Sequence, residues 1–91
     1  MTAYSNSVFS FSKTYAMTGW RVGYVVAGAD VVRALVKAQE PVVSSASTIS
    51  QKAAEAALLG SQDAVAAMRD EYRRRRDLAL ARLDGAGIGY A

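Results

Sequence analysis

Lys13 and Arg21 stand eight residues apart in the segment Ser10-Phe11-Ser12-Lys13-Thr14-Tyr15-Ala16-Met17-Thr18-Gly19-Trp20-Arg21-Val22-Gly23, which serine and glycine punctuate and apolar stretches flank. Such a setting is unusual for two cations. The neutral amine of a lysine attacks a carbonyl carbon and forms a Schiff base, and apolar surroundings with a second cation nearby favour that neutral form. The planar, permanently charged guanidinium of Arg21 suits a bidentate grip on phosphate, with a serine hydroxyl as an additional donor. The segment therefore reads as a loop able to hold a molecule that carries both a carbonyl and a phosphate.

Composition narrows what else is possible. The 91 residues make one domain at most, and a chain of this size buries only about 60–65% of its unfolded surface. With 52% hydrophobic and 21% charged residues it lies outside the disordered range. It has no cysteine and no histidine, which excludes disulfide scaffolds, thiolate nucleophiles, histidine-based triads, most zinc sites and histidine-ligated haem. Chemistry must come from Lys, Ser, Tyr, Asp, Glu or Arg. No apolar run of about 18 residues occurs, and Met1 to Phe9 has neither a basic leader nor an apolar stretch. The expectation is a cytoplasmic protein with no membrane partner.

The net charge of +3 divides into +2 over residues 1–60 and +1 over 61–91, so neither part is a basic arm. The run Arg73-Arg74-Arg75-Arg76 is flanked by Asp70, Glu71 and Asp77 at helical ion-pair spacing, Glu71 to Arg75 being i,i+4. Basic charge that is already paired is poorly placed to bind phosphates, so a solvated helix face and no nucleic-acid partner are expected.

The elements that must position Lys13 and Arg21 follow from pattern. Val8 to Phe11 alternates weakly, as a short strand would, and a loop follows. Trp20 to Ala27 is β-branched and aromatic and predicts a strand ending at Gly28, with Gly23 marking a close backbone approach. Asp30 is the expected N-cap of a helix over 31–40 that Pro41 stops. Residues 42–50 read as an ordered connection. Thr48 and Gln51 form a capping box for a helix to Leu59, with Gly60 just past its end. Ser61 caps a long helix over 62–83, in which Val65, Met68, Tyr72, Ala79 and Leu83 share a stripe and Gly85 supplies the stop. Met17, Tyr15 and Trp20 read as packing residues, and Thr14 and Thr18 as turn residues without a role.

A Schiff-base lysine beside a phosphate clamp is the minimum needed to hold pyridoxal phosphate. The segment SFSKTYAMTGWRVG resembles, position by position, the cofactor-attachment motif of class I/II aminotransferases, the fold-type I enzymes that include aspartate aminotransferase. Ser10, Phe11, Ser12, Lys13, Ala16, Met17, Gly19, Arg21, Val22 and Gly23 fill its constrained positions, which is far more specific than a lone glycine motif.

What the resemblance implies is an α/β fold, with residues 1–60 as the C-terminal part of the large cofactor-binding domain and 61–91 as a long helix leading to a small domain. It implies Lys13 as the Schiff-base lysine that shuttles a proton, Ser10 and Arg21 as ligands of the cofactor phosphate, and Gly19 and Gly23 as places of tight turning or close passage. It further implies amino-acid and 2-oxo-acid substrates, a homodimer, and Ser44 to Thr48 near the partner subunit's active site. The family's glycine-rich phosphate loop, the Asn, Tyr and Asp that contact the cofactor ring, and the Arg for the substrate carboxylate lie in regions this sequence does not include. It thus reads as an internal fragment not expected to catalyse alone. The alternatives are another enzyme on the same fold, a C–S lyase or C-acyltransferase, and a non-catalytic truncated remnant.

Overall fold

The computed structural model describes residues 5–91, so the first residues of the opening segment lie outside the description. Strand β1 (Ser7–Ser10) and strand β2 (Gly23–Val26) are followed by helices α1 (Ala29–Val43), α2 (Thr48–Leu59) and α3 (Asp63–Gly85). A single 3-10 turn, Thr18–Trp20, lies between the strands. The expected order of short strands and then three helices, the last one long, is present. The chain divides into two compact units, Met1–Gly60 and Ser61–Ala91.

In the first unit β1 and β2 pair antiparallel, with Ser7 opposite Val26 and Ser10 opposite Gly23. Phe9 and Tyr24 face each other across the ladder and stack, ring centroids 4.9 Å apart, the kind of cross-strand pair that holds a two-stranded sheet in register. Gly23 is a place of close strand approach: a Cβ there would sit 2.5 Å from the Phe9 carbonyl oxygen, as its glycine predicts. The small core consists of Phe11, Met17 and Ala54, with Tyr15, Val22, Ala53 and Ala57 against it. Thus the loop between the strands folds its two apolar anchors onto α2. Ser50, the one buried polar residue among the described residues, belongs to α2 as well, and none of their buried side-chain polar atoms lacks a partner.

Several boundaries differ from expectation. The second strand is shorter than Trp20–Ala27 because Arg21 takes a left-handed backbone, which breaks extension and leaves only Gly23–Val26 in the ladder. α1 is capped by Gly28, and Asp30 instead lies in the first turn, where a carboxylate suits the helix dipole, and pairs with Arg33. Pro41 does not stop α1. It removes one hydrogen bond, but its fixed φ is itself helical, so the helix runs on to Val43. It ends where Ser44 turns to φ 57°, while the Ser44 N–H still donates to the Glu40 carbonyl at 3.0 Å.

The N-cap of α2 is Ser47 rather than Thr48, and Gln51 reaches back to the Ala46 carbonyl through Nε2 at 2.8 Å instead of completing a capping box. Gly60 ends α2 in an extended conformation, its N–H donating to the Ala56 carbonyl.

In the second unit Ser61 Oγ accepts the N–H of Asp63 at 3.2 Å, although Gln62 occupies the cap position. Of the expected stripe, Val65, Met68 and Leu83 are half-buried, and Tyr72 and Ala79 are exposed. Gly85 is the last helical residue and not the stop. Gly87, at φ 68°, takes the left-handed conformation, and Gly87 and Ile88 donate to the carbonyls of Asp84 and Leu83 at 3.0 Å each. No helix among the described residues is long and apolar enough to cross a membrane.

Candidate active site

The hairpin register folds the motif back on itself. Because Ser10 stands opposite Gly23, Ser10 and Arg21 come to the same end of the hairpin, and Lys13 lies on the loop that joins them. The Phe11 N–H donates to the Val22 carbonyl at 3.4 Å, carrying the strand pairing one step into the loop. Inside it, Tyr15 donates to the Phe11 carbonyl, Ala16 to Lys13 and Trp20 to Met17, at 3.1 to 3.3 Å. Burial of Phe11 and Met17 pins the loop at two points. Between those anchors Lys13 is carried into the open.

Ser10, Lys13 and Arg21 are all exposed, and neither cation is paired with a carboxylate among the described residues. Ser10 Oγ accepts the Ser12 N–H at 3.1 Å, which leaves its own hydroxyl hydrogen to donate elsewhere. Arg21 Nη1 donates to the Thr18 carbonyl at 2.9 Å. That single bond fixes the guanidinium while most of its five N–H donors stay available. Arg21 (φ 51°, ψ 52°) and Ala16 (φ 52°) both adopt left-handed backbone, which costs a non-glycine residue about 1–2 kcal/mol each. Strain of this kind persists only where the surroundings over-determine it, and it gathers at functional loops.

Gly19 has open space where a side chain would sit and no positive φ, so the tight passage expected of it is carried by Gly23 alone. Thr18, to which the residue pattern assigns no role, makes two bonds: Oγ1 donates to the Ser12 carbonyl at 3.1 Å, and its carbonyl accepts Arg21. The bond from Arg21 uses the Thr18 main chain and the hydroxyl bond spans six residues to another carbonyl, so the residue types alone carry no signal for either. A cavity of about 370 Å³ lies against the same core between Phe11, Tyr24, Ala54 and Leu58, and none of Ser10, Lys13 or Arg21 lines it. No cluster of acidic side chains able to hold a metal occurs among the described residues.

In α3 the four consecutive arginines are each paired. Glu71 receives Arg74 Nη2 at 2.8 Å and Arg75 Nε at 2.7 Å, Arg73 lies 3.6 Å from Asp70, and Arg76 is bound to Asp77 at 2.7 Å. Hydrogen bonds from Arg74 and Arg75 hold the Glu71 carboxyl down to about 2. Tyr90 is bonded to Asp84, which raises its phenol above the usual value.

The chain belongs to the class I and II aminotransferases, whose family model matches residues 2–91. It is 48% identical over 80 residues to an aspartate aminotransferase of Pinus pinaster, covering 85% of this chain and 16% of that protein. It is 42% identical over 74 residues to the aspartate aminotransferase of Rhizobium meliloti (81% of this chain, 18% of the relative), and 44% identical over 79 residues to the LL-diaminopimelate aminotransferase of Nitratidesulfovibrio vulgaris (87% and 20%). The chain thus spans about a fifth of the length of the curated relatives it matches. No solved structure matches it.

Members of this family depend on pyridoxal phosphate. The donor set on the hairpin loop fits that group: an exposed primary amine for its carbonyl, with a guanidinium and a hydroxyl for its phosphate, and no carboxylate neutralising either cation among the described residues.

Proposed function

We propose that this segment carries the cofactor-attachment loop of a pyridoxal-phosphate-dependent transaminase, one that moves an amino group between an amino acid and a 2-oxo acid. The observation that carries the proposal is the hairpin end: register brings Ser10 and Arg21 together there with Lys13 on the joining loop, and all three are exposed. Lys13 Nζ is the point of covalent attachment and afterwards holds and moves a proton at the substrate Cα. Arg21 and Ser10 bind the phosphate, Arg21 through its remaining guanidinium N–H groups and Ser10 through its hydroxyl hydrogen. Pyridoxal phosphate, when bound, supplies the electron sink that makes the Cα proton removable.

On this reading residues 1–60 are the C-terminal part of the large, α/β cofactor-binding domain, and residues 61–91 lead towards a small domain. The whole protein is a cytoplasmic homodimer, with Ser44 to Thr48 near the partner's active site. The pairing of Arg73 to Arg76 with Asp70, Glu71 and Asp77 supports a helix face with no nucleic-acid role. The relatives described above are all aminotransferases, which favours transamination over a C–S lyase or C-acyltransferase on the same fold.

The test is spectral. In the full-length protein loaded with pyridoxal phosphate, adding an amino acid should shift the cofactor absorbance, and adding a 2-oxo acid should return it. A lyase would release product with no need of the 2-oxo acid, and that outcome would displace the proposal.

A further inference from the structure

We propose that Thr18 is the positioning residue of this site, the one side chain that ties the two phosphate ligands and the lysine into a single geometry. The inference rests on the reading of Ser10 and Arg21 as phosphate ligands given above. Four residues form an unbroken relay. Ser12 N–H donates to Ser10 Oγ at 3.1 Å, the Thr18 hydroxyl donates to the Ser12 carbonyl at 3.1 Å, and Arg21 Nη1 donates to the Thr18 carbonyl at 2.9 Å.

The Ser12 carbonyl lies in the same planar peptide unit as the Lys13 nitrogen, so the bond from Thr18 restrains the plane from which Lys13 departs. The other face of Thr18, its carbonyl, restrains the guanidinium. The backbone shows the same focus: Arg21 is left-handed, and the Trp20 N–H closes onto Met17 around Thr18. Without the hydroxyl the Arg21 contact remains, because it uses the main chain, and the strand pairing as far as Phe11 and Val22 remains, but the turn that carries Thr18 and holds the guanidinium loses its fastening to the Ser12–Lys13 peptide of the loop. Thr18 therefore acts on the relative placement of ligands and not on any ligand itself.

Such a role predicts a loss confined to the phosphate. The full-length protein, Thr18→Val, Thr18→Ser, Arg21→Gln and the double variant Thr18→Val with Arg21→Gln would be titrated with pyridoxal phosphate and with unphosphorylated pyridoxal, following absorbance. One hydrogen bond corresponds to a weakening of pyridoxal phosphate binding by about fivefold to tenfold in Thr18→Val, with pyridoxal binding unchanged. Thr18→Ser should restore the wild-type value, and the double variant should be no weaker than Arg21→Gln alone, since the two act through one interaction. Should Thr18→Val fail to fold, Thr18→Ala removes the same hydroxyl and is read in the same way.

Equal weakening for pyridoxal and its phosphate would make Thr18 a merely structural residue and overturn the inference. So would a Thr18→Val protein that binds like wild type while Arg21→Gln loses the phosphorylated ligand, an outcome that leaves the proposed function standing. If Arg21→Gln and Lys13→Ala both retain the cofactor fully, the proposed function fails and this inference with it.

Discussion

The loop from Ser10 to Gly23 and the helix α3 are each held mainly by short-range hydrogen bonds, yet they are specified in opposite ways. In α3 the contacts repeat: arginine meets acid one, three or four residues away, and no residue is buried. Any one pair can be lost and the helix remains, because the backbone ladder does not depend on it. In the loop no contact repeats. Each side-chain bond joins one particular side chain to one particular main-chain group, two residues take left-handed backbone, and Phe11 and Met17 are buried. The difference teaches that tolerance follows redundancy, and that the loop has little of it.

The contrast is broken or sharpened by substitutions in the two regions. The largest effect is expected of Lys13→Ala, which should abolish covalent retention of pyridoxal phosphate in the full-length protein, as read by absorbance after dialysis. Persistence of the covalent species would move the attachment point elsewhere. Next, Arg21→Ala should weaken cofactor affinity by about 2–4 kcal/mol, since one charge-assisted phosphate contact is lost. Unchanged retention on dialysis would make Arg21 an ordinary surface residue.

Gly23→Ala places a methyl group 2.5 Å from the Phe9 carbonyl, a backbone atom that cannot rotate away. A loss of about 1–3 kcal/mol in denaturant unfolding is expected, and a neutral result would show that the strands can separate.

The smallest effect belongs to α3. Glu71 is held down to about 2 by Arg74 and Arg75, below its ordinary value of 4.5. Its contribution is therefore complete above about pH 4.5 and fades as pH falls towards 2, the sign expected for a carboxyl depressed in the folded state. Because the ion pairs of Glu71 lie at the surface and solvent screens them, the change in helical circular dichroism should be slight, and Arg74→Gln with Arg75→Gln should leave cofactor binding untouched. A binding defect in that double variant would erase the contrast between the regions.

Legibility in the sequence follows the same divide. α2 and α3 were readable to within a residue or two, because period and composition report a regular helix directly. The ion pairs of Arg73 to Arg76 were readable from spacing, and Gly23 from its place inside an apolar run. The motif marked the loop and its three candidate residues. What escaped was whatever a single tertiary choice decides. The left-handed turn at Arg21 shortens a strand whose composition runs three residues further. Pro41 is tolerated because its φ suits the helix it was expected to end. The bonds of Thr18 involve carbonyls, which have no letter in a sequence.

The packing of Ala54 beneath Phe11 and Met17 has a consequence in time. The hairpin can close early, since its strands follow one another along the chain. Its anchors are not secured until α2, far downstream, has formed and swung onto them, a slower search because the intervening chain must give up more freedom. The loop that carries Lys13 is thus expected to be among the last parts of the first unit to become rigid. During folding, a cofactor arriving before α2 would meet this loop in an unsettled arrangement.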